Sequence, residues 1–233
     1  MYRGGAIFLE DGVEIGNVLR GNLAVYVGTS SSLLNEDVTP AAFWVTNPNN
    51  IVENNAVAGG THFGFWYRML RTPDGPSFAT YPNYCPYRQF FGRFANNSVH
   101  SVGRFGVWVF PEYSPTVAGS CSGDQPYQAV FDGLVSWGNN RGFEWVMSST
   151  VKVQNFLVYD NADTGIRCVT AINNQATNLP NLRATFYNEN AGSSVVNAVI
   201  IGDTGVSSSR IVPGEGGLVG KFFFLIYKLN GFI

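Results

Sequence analysis

Two segments with the same design decide the fold. The first reads Asn55-Ala56-Val57-Ala58-Gly59-Gly60-Thr61-His62-Phe63-Gly64, and the second reads Asn97-Ser98-Val99-His100-Ser101-Val102-Gly103-Arg104-Phe105-Gly106. Each begins with an asparagine suited to a bend, continues as an apolar strand, and reaches a glycine that opens another strand. Residues 133–142 and 155–165 repeat the design, and weaker copies begin at Asn17 and Asn197.

The spacing of these bends indicates a solenoid. Successive bends from Asn55 to Asn197 lie 42, 36, 22 and 42 residues apart. A spacing of 22 residues suits one turn of a parallel β-helix, and the longer spacings suit a turn plus an insertion. Residues 71–89 and 111–128, rich in Pro, Gly, Ser and Tyr, are the expected insertions. We therefore predict an all-β parallel β-helix with loop insertions; the alternative is an antiparallel β-sandwich with Asn/Gly turns.

Composition excludes several other classes of protein. The chain has 233 residues, of which 45% are hydrophobic and only 13% are charged. It is too apolar to be disordered, and its net charge of −2 without a Lys/Arg cluster predicts no nucleic-acid partner. No apolar run approaches the ~20 residues that cross a bilayer. We therefore expect membrane attachment only through parts of a parent protein outside this chain.

Both ends of the chain lack the caps that a solenoid needs. Residues 5–9 already follow a strand pattern, and residues 220–227 break the repeat with Phe, Leu, Ile and Tyr. We expect residues 1–220 to be a β-helix segment of a larger ectodomain. Residues 221–233 are expected to be a non-native tail, of the kind that translation of an intron would produce.

The most specific strings lie between residues 41 and 77. Residues 41–50 read AAFWVTNPNN, residues 58–68 read AGGTHFGFWYR and residues 73–77 read PDGPS. They resemble the β-helix region of the fibrocystin-L (polycystic kidney and hepatic disease-like) family, which the cell-migration-inducing hyaluronan-binding protein and its transmembrane hyaluronidase relative share. The resemblance covers roughly residues 4–205. It implies a right-handed β-helix on the extracellular side of the plasma membrane, within a single-pass membrane protein.

The three cysteines are Cys85, Cys121 and Cys168. The residues alone allow either one disulfide between the loops that hold Cys85 and Cys121 or three free thiols. The family resemblance implies the Cys85–Cys121 pair.

Four side chains are candidates for acid–base chemistry. Glu10 and Asp11 are adjacent carboxylates followed by Glu14, which suits a calcium or saccharide site or simply a turn with a solvated glutamate. His62 and His100 lie near equivalent places on successive turns, where they would approach each other and, with a carboxylate, form an acid–base pair. The alternative is two partly exposed histidines without that role. Apart from calcium, no metal or other cofactor is predicted.

Other residues are candidates for ligand contact. Asn47, Asn49 and Asn50 surround Pro48 and suit either a rigid corner or recognition of sugar hydroxyls. Arg68 is suited to a uronate carboxylate. The tryptophans either stack on sugar rings or pack in the core and between turns: they are Trp44, Trp66, Trp108, Trp137 and Trp145. Asn96 begins the N-glycosylation sequon Asn96-Asn97-Ser98.

The resulting functional prediction is a non-catalytic extracellular segment that contacts a matrix glycan or protein in adhesion. Two alternatives remain, a hydrolase of hyaluronan or a related glycan and a fragment without a function of its own. The few positive charges argue against tight binding of a polyanion.

Overall fold

The computed structural model describes residues 2–3, 5–29, 39–169, 193–204 and 218–220. The expected tail at 221–233 lies outside these residues. Within them the chain forms two sheets. A ten-stranded sheet contains β1 (Tyr2–Arg3), β3 (Val18–Arg20), β4 (Leu23–Gly28), β6 (Ile51–Glu53), β7 (Ala56–Gly60), β9 (Arg93–Val102), β11 (Ala129–Trp137), β13 (Val151–Tyr159), β15 (Ser194–Val196) and β16 (Val199–Ile201). A seven-stranded sheet contains β2 (Ile7–Leu9), β5 (Ala41–Val45), β8 (Phe63–Tyr67), β10 (Phe105–Val109), β12 (Arg141–Trp145), β14 (Thr164–Cys168) and β17 (Leu218–Gly220).

The chain passes alternately between the two sheets, and each pass stacks on the one before. The seven-stranded sheet keeps its strands in sequence order, and every pair of named strands is parallel. This is the topology of a parallel β-helix, as predicted, and the antiparallel sandwich is wrong. The helical elements are short: α1 (Ser77–Thr80) and a 3₁₀ turn at Pro86–Arg88 both lie in the first insertion. No helix in the described ranges has the length and apolarity to cross a membrane.

A column of glycines explains why the repeat is visible in the sequence. Gly64, Gly106, Gly142 and Gly165 are each the second residue of a strand of the seven-stranded sheet and lie in register. A Cβ on Gly64 would stand 2.5 Å from the Gly106 carbonyl oxygen, and one on Gly142 would stand 2.4 Å from that of Gly165. Only glycine lets neighbouring turns approach so closely, so the prediction of these positions is confirmed.

The bends need a correction of one residue. Left-handed backbone occurs at Asn54, Asn96, Gly133, Asn155 and Asn197, with φ between 51° and 65°. The bends predicted at Gly133, Asn155 and Asn197 are therefore right, whereas those predicted at Asn55 and Asn97 are one residue late. Asn17, the other weak copy, lies at a different corner, where its side chain bonds to that of Asn50 at 3.0 Å.

Asn55 and Asn97 instead form an internal ladder with Asn22. The Nδ2 of Asn22 donates to Oδ1 of Asn55 at 2.9 Å, and the Nδ2 of Asn55 donates to Oδ1 of Asn97 at 3.1 Å. Asn97 closes the series by donating to the Val52 carbonyl at 2.9 Å. Because Asn55 and Asn97 are almost fully buried, these bonds are shielded from competing water.

The interior is filled by rings from successive turns. Phe43, Phe65, Phe94, Phe131 and Phe143 have no exposed surface, and the Phe43 and Phe65 rings stack with centroids 4.6 Å apart. Each turn therefore covers the apolar side chains of its neighbour, as the solenoid requires.

A buried charge also links three turns. The Glu53 carboxylate is 6% exposed and pairs with Arg20 on the preceding turn and with Arg93 on the following turn. The two guanidinium groups together compensate the buried carboxylate.

Candidate functional site

An aromatic column runs along the outer face of the seven-stranded sheet. Because side chains alternate along a strand, Phe43 and Phe65 face the core while Trp44 and Trp66 face outwards. Phe8, Trp44, Trp66 and Trp108 lie in register on β2, β5, β8 and β10. Ring centroids are 5.0 Å apart for Phe8 and Trp44 and 4.3 Å apart for Trp44 and Trp66. The tryptophans stack between turns, which was one of the two predicted alternatives.

A pocket of about 300 Å³ opens at the first three members of this column. Phe8, Trp44 and Trp66 form its apolar side, and polar groups surround them: Glu10, Asp11, Thr39, Arg68 and Asp74. The structure thus brings together three residues that the sequence had singled out separately, Glu10, Asp11 and Arg68. A small concave site with aromatic walls and a few polar groups is the usual form of a ligand-binding site.

Arg68 lies on the polar side of the pocket and contacts both Trp44 and Asp74. Its guanidinium carbon lies 5.5 Å from the centroid of the Trp44 ring, and its Nη1 lies 3.3 Å from Oδ2 of Asp74. The side chain is 27% exposed. The cation–π contact and the ion pair fix the guanidinium at the pocket instead of leaving it in solvent.

Asp11 joins the first turn to the insertion that carries Asp74. The backbone N–H of Asp74 donates to the Asp11 carbonyl at 2.9 Å, and the N–H of Ser77 donates to Oδ2 of Asp11 at 3.2 Å. Gly75 has φ +53°, and a Cβ there would stand 2.8 Å from Oδ1 of Asp11. A glycine at position 75 is therefore what allows the insertion to close over the Asp11 carboxylate.

The loop that holds Glu10 and Asp11 is organised by the Glu14 carboxylate. The Glu14 carboxylate already accepts the backbone N–H groups of Glu10, Asp11 and Gly12 at 3.2, 2.8 and 2.9 Å. It acts as the anion of a backbone nest and fixes the loop instead of facing a cation. In the part of the chain that the structure describes, no three His, Cys, Asp or Glu side chains gather as metal ligands.

The two histidines lie apart from the pocket, and the prediction that they share a place on successive turns is wrong. His100 lies within β9 in register with Ala58 and Trp137, and its ring stacks on Trp137 with centroids 4.4 Å apart. His62 instead follows β7, and its carbonyl accepts the N–H of Arg104 at 2.9 Å. Burial lowers the pKa of His62, and the nearby Arg104 charge lowers it further.

Asn47 and Asn50 hold the corner around Pro48 together. Both are almost completely buried. The Nδ2 of Asn47 donates to the Gly12 carbonyl and the Tyr84 hydroxyl, both at 2.8 Å, and the Nδ2 of Asn50 donates to the Glu14 carbonyl at 2.7 Å. Asn49 is only half-buried, but its backbone N–H donates to Oδ1 of Asn47 at 2.9 Å. These bonds give Asn47 and Asn50 a structural role at the corner, and ligand contact by Asn47, Asn49 and Asn50 stays a prediction.

The indole N–H groups of the column differ in their partners. The Nε1 of Trp66 donates to the Phe110 carbonyl at 3.2 Å, and that of Trp108 donates to Oε1 of Glu144 at 3.1 Å. The Nε1 of Trp44 is buried and finds no hydrogen-bond partner among the described residues. An unpaired buried donor costs free energy, which the packing of the Trp44 ring in the column must offset.

Asp74 and Phe8, like Thr39 and Gly75, are pocket residues that were not candidates from the sequence. Asp74 and Phe8 supply a charge and an exposed ring. Both lie within strings that carry the family resemblance or the strand pattern, but neither stands out in a chain with 16 acidic residues and 18 phenylalanines. The Asp74-Gly75 turn was the available signal, because a tight turn between prolines returns the chain towards the strand it left.

A disulfide secures the insertion that borders the pocket. Cys85 and Cys121 are bonded, with Cα atoms 5.4 Å apart, and join the first insertion to the second. The predicted pair is confirmed, and Cys168 remains as a free, buried thiol. Asn96, the sequon asparagine, is exposed at a bend of β9.

Comparison with known proteins agrees with the fold. The CEMIP β-helix family model matches residues 2–107. Human fibrocystin-L is 55% identical over 164 residues, which cover 70% of this chain and 4% of that protein. Human cell surface hyaluronidase CEMIP2 is 26% identical over 203 residues, covering 68% of this chain and 15% of that protein. The human cell migration-inducing and hyaluronan-binding protein is 25% identical over 193 residues, covering 76% of this chain and 14% of that protein.

These relatives are far longer than the matched region, so the chain spans about 4% of fibrocystin-L and about 15% of the CEMIP proteins. No solved structure matches the chain. The chain therefore belongs to the fibrocystin-L family and carries the β-helix that this family has in common with the CEMIP proteins.

Proposed function

We propose that the chain is a non-catalytic, extracellular β-helix segment of a cell-surface protein, and that it contacts a matrix glycan or protein through the pocket at Trp44 and Arg68. The parent protein would be anchored by a single membrane span outside this chain. The names of the relatives, one of them a cell surface hyaluronidase, and the Cys85–Cys121 bond support an extracellular location.

The pocket is the observation that carries the proposal. Sugar rings present apolar C–H faces that pack on indoles, and hydroxyls that pair with carboxylates and guanidinium groups. Phe8, which is 41% exposed, supplies most of the first kind of surface, next to the small exposed parts of Trp44 and Trp66. Asp11, Arg68 and Asp74 supply the second. The long flank of the solenoid displays this site on a rigid frame.

Binding to glycans and matrix proteins tests the proposal. The full chain, secreted and with its disulfide intact, would be applied to a glycan array and used in a pull-down from matrix extract. We expect Arg68→Ala to abolish the retained binding and Arg104→Ala to preserve it, because Arg104 is exposed and lies away from the pocket. Binding that survives Arg68→Ala and Asp11→Asn together would contradict the proposal.

The second candidate function is hydrolysis of hyaluronan or a related glycan. One observation favours it: Glu10, Asp11 and Asp74 border one pocket, and pairs of carboxylates perform glycoside hydrolysis. The histidines contribute nothing there, since neither lines the pocket.

Incubation with size-defined hyaluronan separates the two functions. The full chain would be assayed with and without calcium, and product length would be followed by gel electrophoresis. Our proposal expects no shortening. Shortening that Asp11→Asn or Asp74→Asn abolishes, and that Asp132→Asn on the opposite sheet preserves, would establish the hydrolase instead.

A further inference from the structure

The charge of the pocket determines which glycans it accepts. Of its lining residues, Asp11 and Asp74 carry carboxylates, Glu10 adds a third, and Arg68 is the one cation. The described lining is therefore acidic, within a chain whose net charge is −2.

The guanidinium of Arg68 is already engaged by groups of the chain itself. Its Nη1 pairs with Asp74 at 3.3 Å, and its charge lies over the Trp44 ring. A uronate carboxylate that paired with the remaining N–H groups of Arg68 would lie beside the Asp74 carboxylate and close to Asp11 and Glu10 on the same pocket. Like charges at a contact surface repel each other, so an anionic sugar is disfavoured.

A neutral sugar meets no such conflict. Its hydroxyl hydrogens are donors for the Asp11 and Asp74 carboxylates. Its hydroxyl, ring or acetamido oxygens are acceptors for those N–H groups of the Arg68 guanidinium that Asp74 leaves free. The volume of about 300 Å³ is at the small end of ligand sites, which suits a sugar residue better than a long polymer segment.

We propose that the pocket binds a neutral hexose or N-acetylhexosamine residue and rejects uronate-containing glycans such as hyaluronan. This inference rests on the proposed function, because it assigns the chemical class of the glycan to the same pocket. It differs from what the names of the hyaluronan-binding relatives suggest, and it follows from the side chains around this pocket.

Calorimetric titration of the full chain provides the test. The probes would be N,N′-diacetylchitobiose and N-acetyllactosamine as neutral glycans, and a hyaluronan tetrasaccharide as the anionic one. We expect a neutral glycan to bind at least about tenfold more tightly than the hyaluronan tetrasaccharide at low ionic strength. Arg68→Ala should weaken neutral binding, whereas Asp132→Asn, on the opposite sheet, should leave it unchanged.

The variant Asp74→Asn tests the charge argument directly. It removes one carboxylate and its ion pair while keeping the shape of the side chain, so the preference for neutral glycans over hyaluronan should shrink. Tighter binding of the hyaluronan tetrasaccharide to the unmodified chain, lost in Arg68→Ala, would overturn the inference and leave the proposed glycan contact standing. Absence of binding to every glycan, neutral and anionic, would overturn both.

Discussion

Gly106 and Gly142 lie on neighbouring turns so close together that a Cβ on Gly106 would stand 2.5 Å from the Gly142 carbonyl oxygen. The same Cβ would stand 2.7 Å from Oγ of Ser136. We expect Gly106→Ala to lower the free energy of unfolding by about 2–3 kcal/mol, because a packed interior cannot open to admit the methyl group. Urea denaturation would measure the loss. Gly5→Ala is the matched control, since its Cβ would meet only ordinary contacts at 3.4 Å and beyond, and it should change stability by less than about 1 kcal/mol.

The asparagine ladder predicts unequal effects of two similar substitutions. Asn97→Ala removes the acceptor of both the backbone and side-chain N–H groups of Asn55, which are buried. Asn22→Ala removes only the side-chain N–H that donates to Asn55 at the end of the ladder, because the backbone N–H of residue 22 keeps its bond to Oδ1 of Asn55. We expect losses of about 2–3 kcal/mol for Asn97→Ala and about 1 kcal/mol for Asn22→Ala, measured as shifts in the urea midpoint. Equal losses for the two variants would contradict the assignment of Asn97 as the buried acceptor and Asn22 as a donor at the end of the ladder.

His62 predicts a dependence of stability on pH. Burial and Arg104 lower its pKa in the folded protein below 6.5, so the unfolded chain binds the proton more readily. Stability should therefore fall as the pH drops from the unfolded value of 6.5 towards the lowered folded pKa. We expect His62→Gln to lose this part of the pH dependence and His100→Gln to keep it. Titration by NMR should place the His62 midpoint below 6.5, and a midpoint above 6.5 would contradict the burial argument.

The cysteines predict a simple labelling pattern. Burial raises the pKa of the Cys168 thiol to about 12, and the other two cysteines form a disulfide. Without a reductant, a thiol reagent at pH 8 should label no cysteine in the folded chain and one cysteine after unfolding, as counted by mass spectrometry. Cys168→Ser should abolish the label in the unfolded chain. More than one labelled thiol would show that the disulfide is absent.

Asn96 is predicted to carry an N-linked glycan when the chain is secreted. Its side chain is exposed at the bend of β9, opposite Gly133 on the next turn. Treatment with peptide N-glycosidase should lower the mass of the secreted chain and convert Asn96 to Asp. Asn96→Gln should remove the shift, and Asn155→Gln, at a comparable exposed bend without a sequon, should not.

The fold was predictable where a steric rule acts on each turn separately. Gly64, Gly106 and Gly142 must lack a Cβ because a backbone carbonyl of the next turn occupies its place, and this requirement appears directly as a repeated residue. The bends were harder because Asn54-Asn55 and Asn96-Asn97 each offer two asparagines. One of each pair takes the left-handed backbone, and the other makes the ladder. Composition and spacing do not distinguish these two roles.

The pocket was only partly predictable. Glu10, Asp11 and Arg68 drew attention through their charges, but their meeting with Asp74 depends on the path of an insertion that follows no period. The supposed pairing of His62 with His100 failed for a different reason. His62 lies seven residues after Asn55, whereas His100 lies three residues after Asn97, so equal steps along the coil do not bring them together. Counting from the bends would have separated them.

The position of Glu53 between Arg20 and Arg93 also bears on how the coil assembles. Successive turns of a solenoid resemble one another, so a turn can pack against the wrong neighbour while the coil folds. If the turn that carries Glu53 were left out of the stack, the Arg20 and Arg93 side chains would meet without the carboxylate that they share. The order of positive, negative and positive charge on three successive turns therefore favours the correct stacking of turns over a misfolded coil that omits the middle turn.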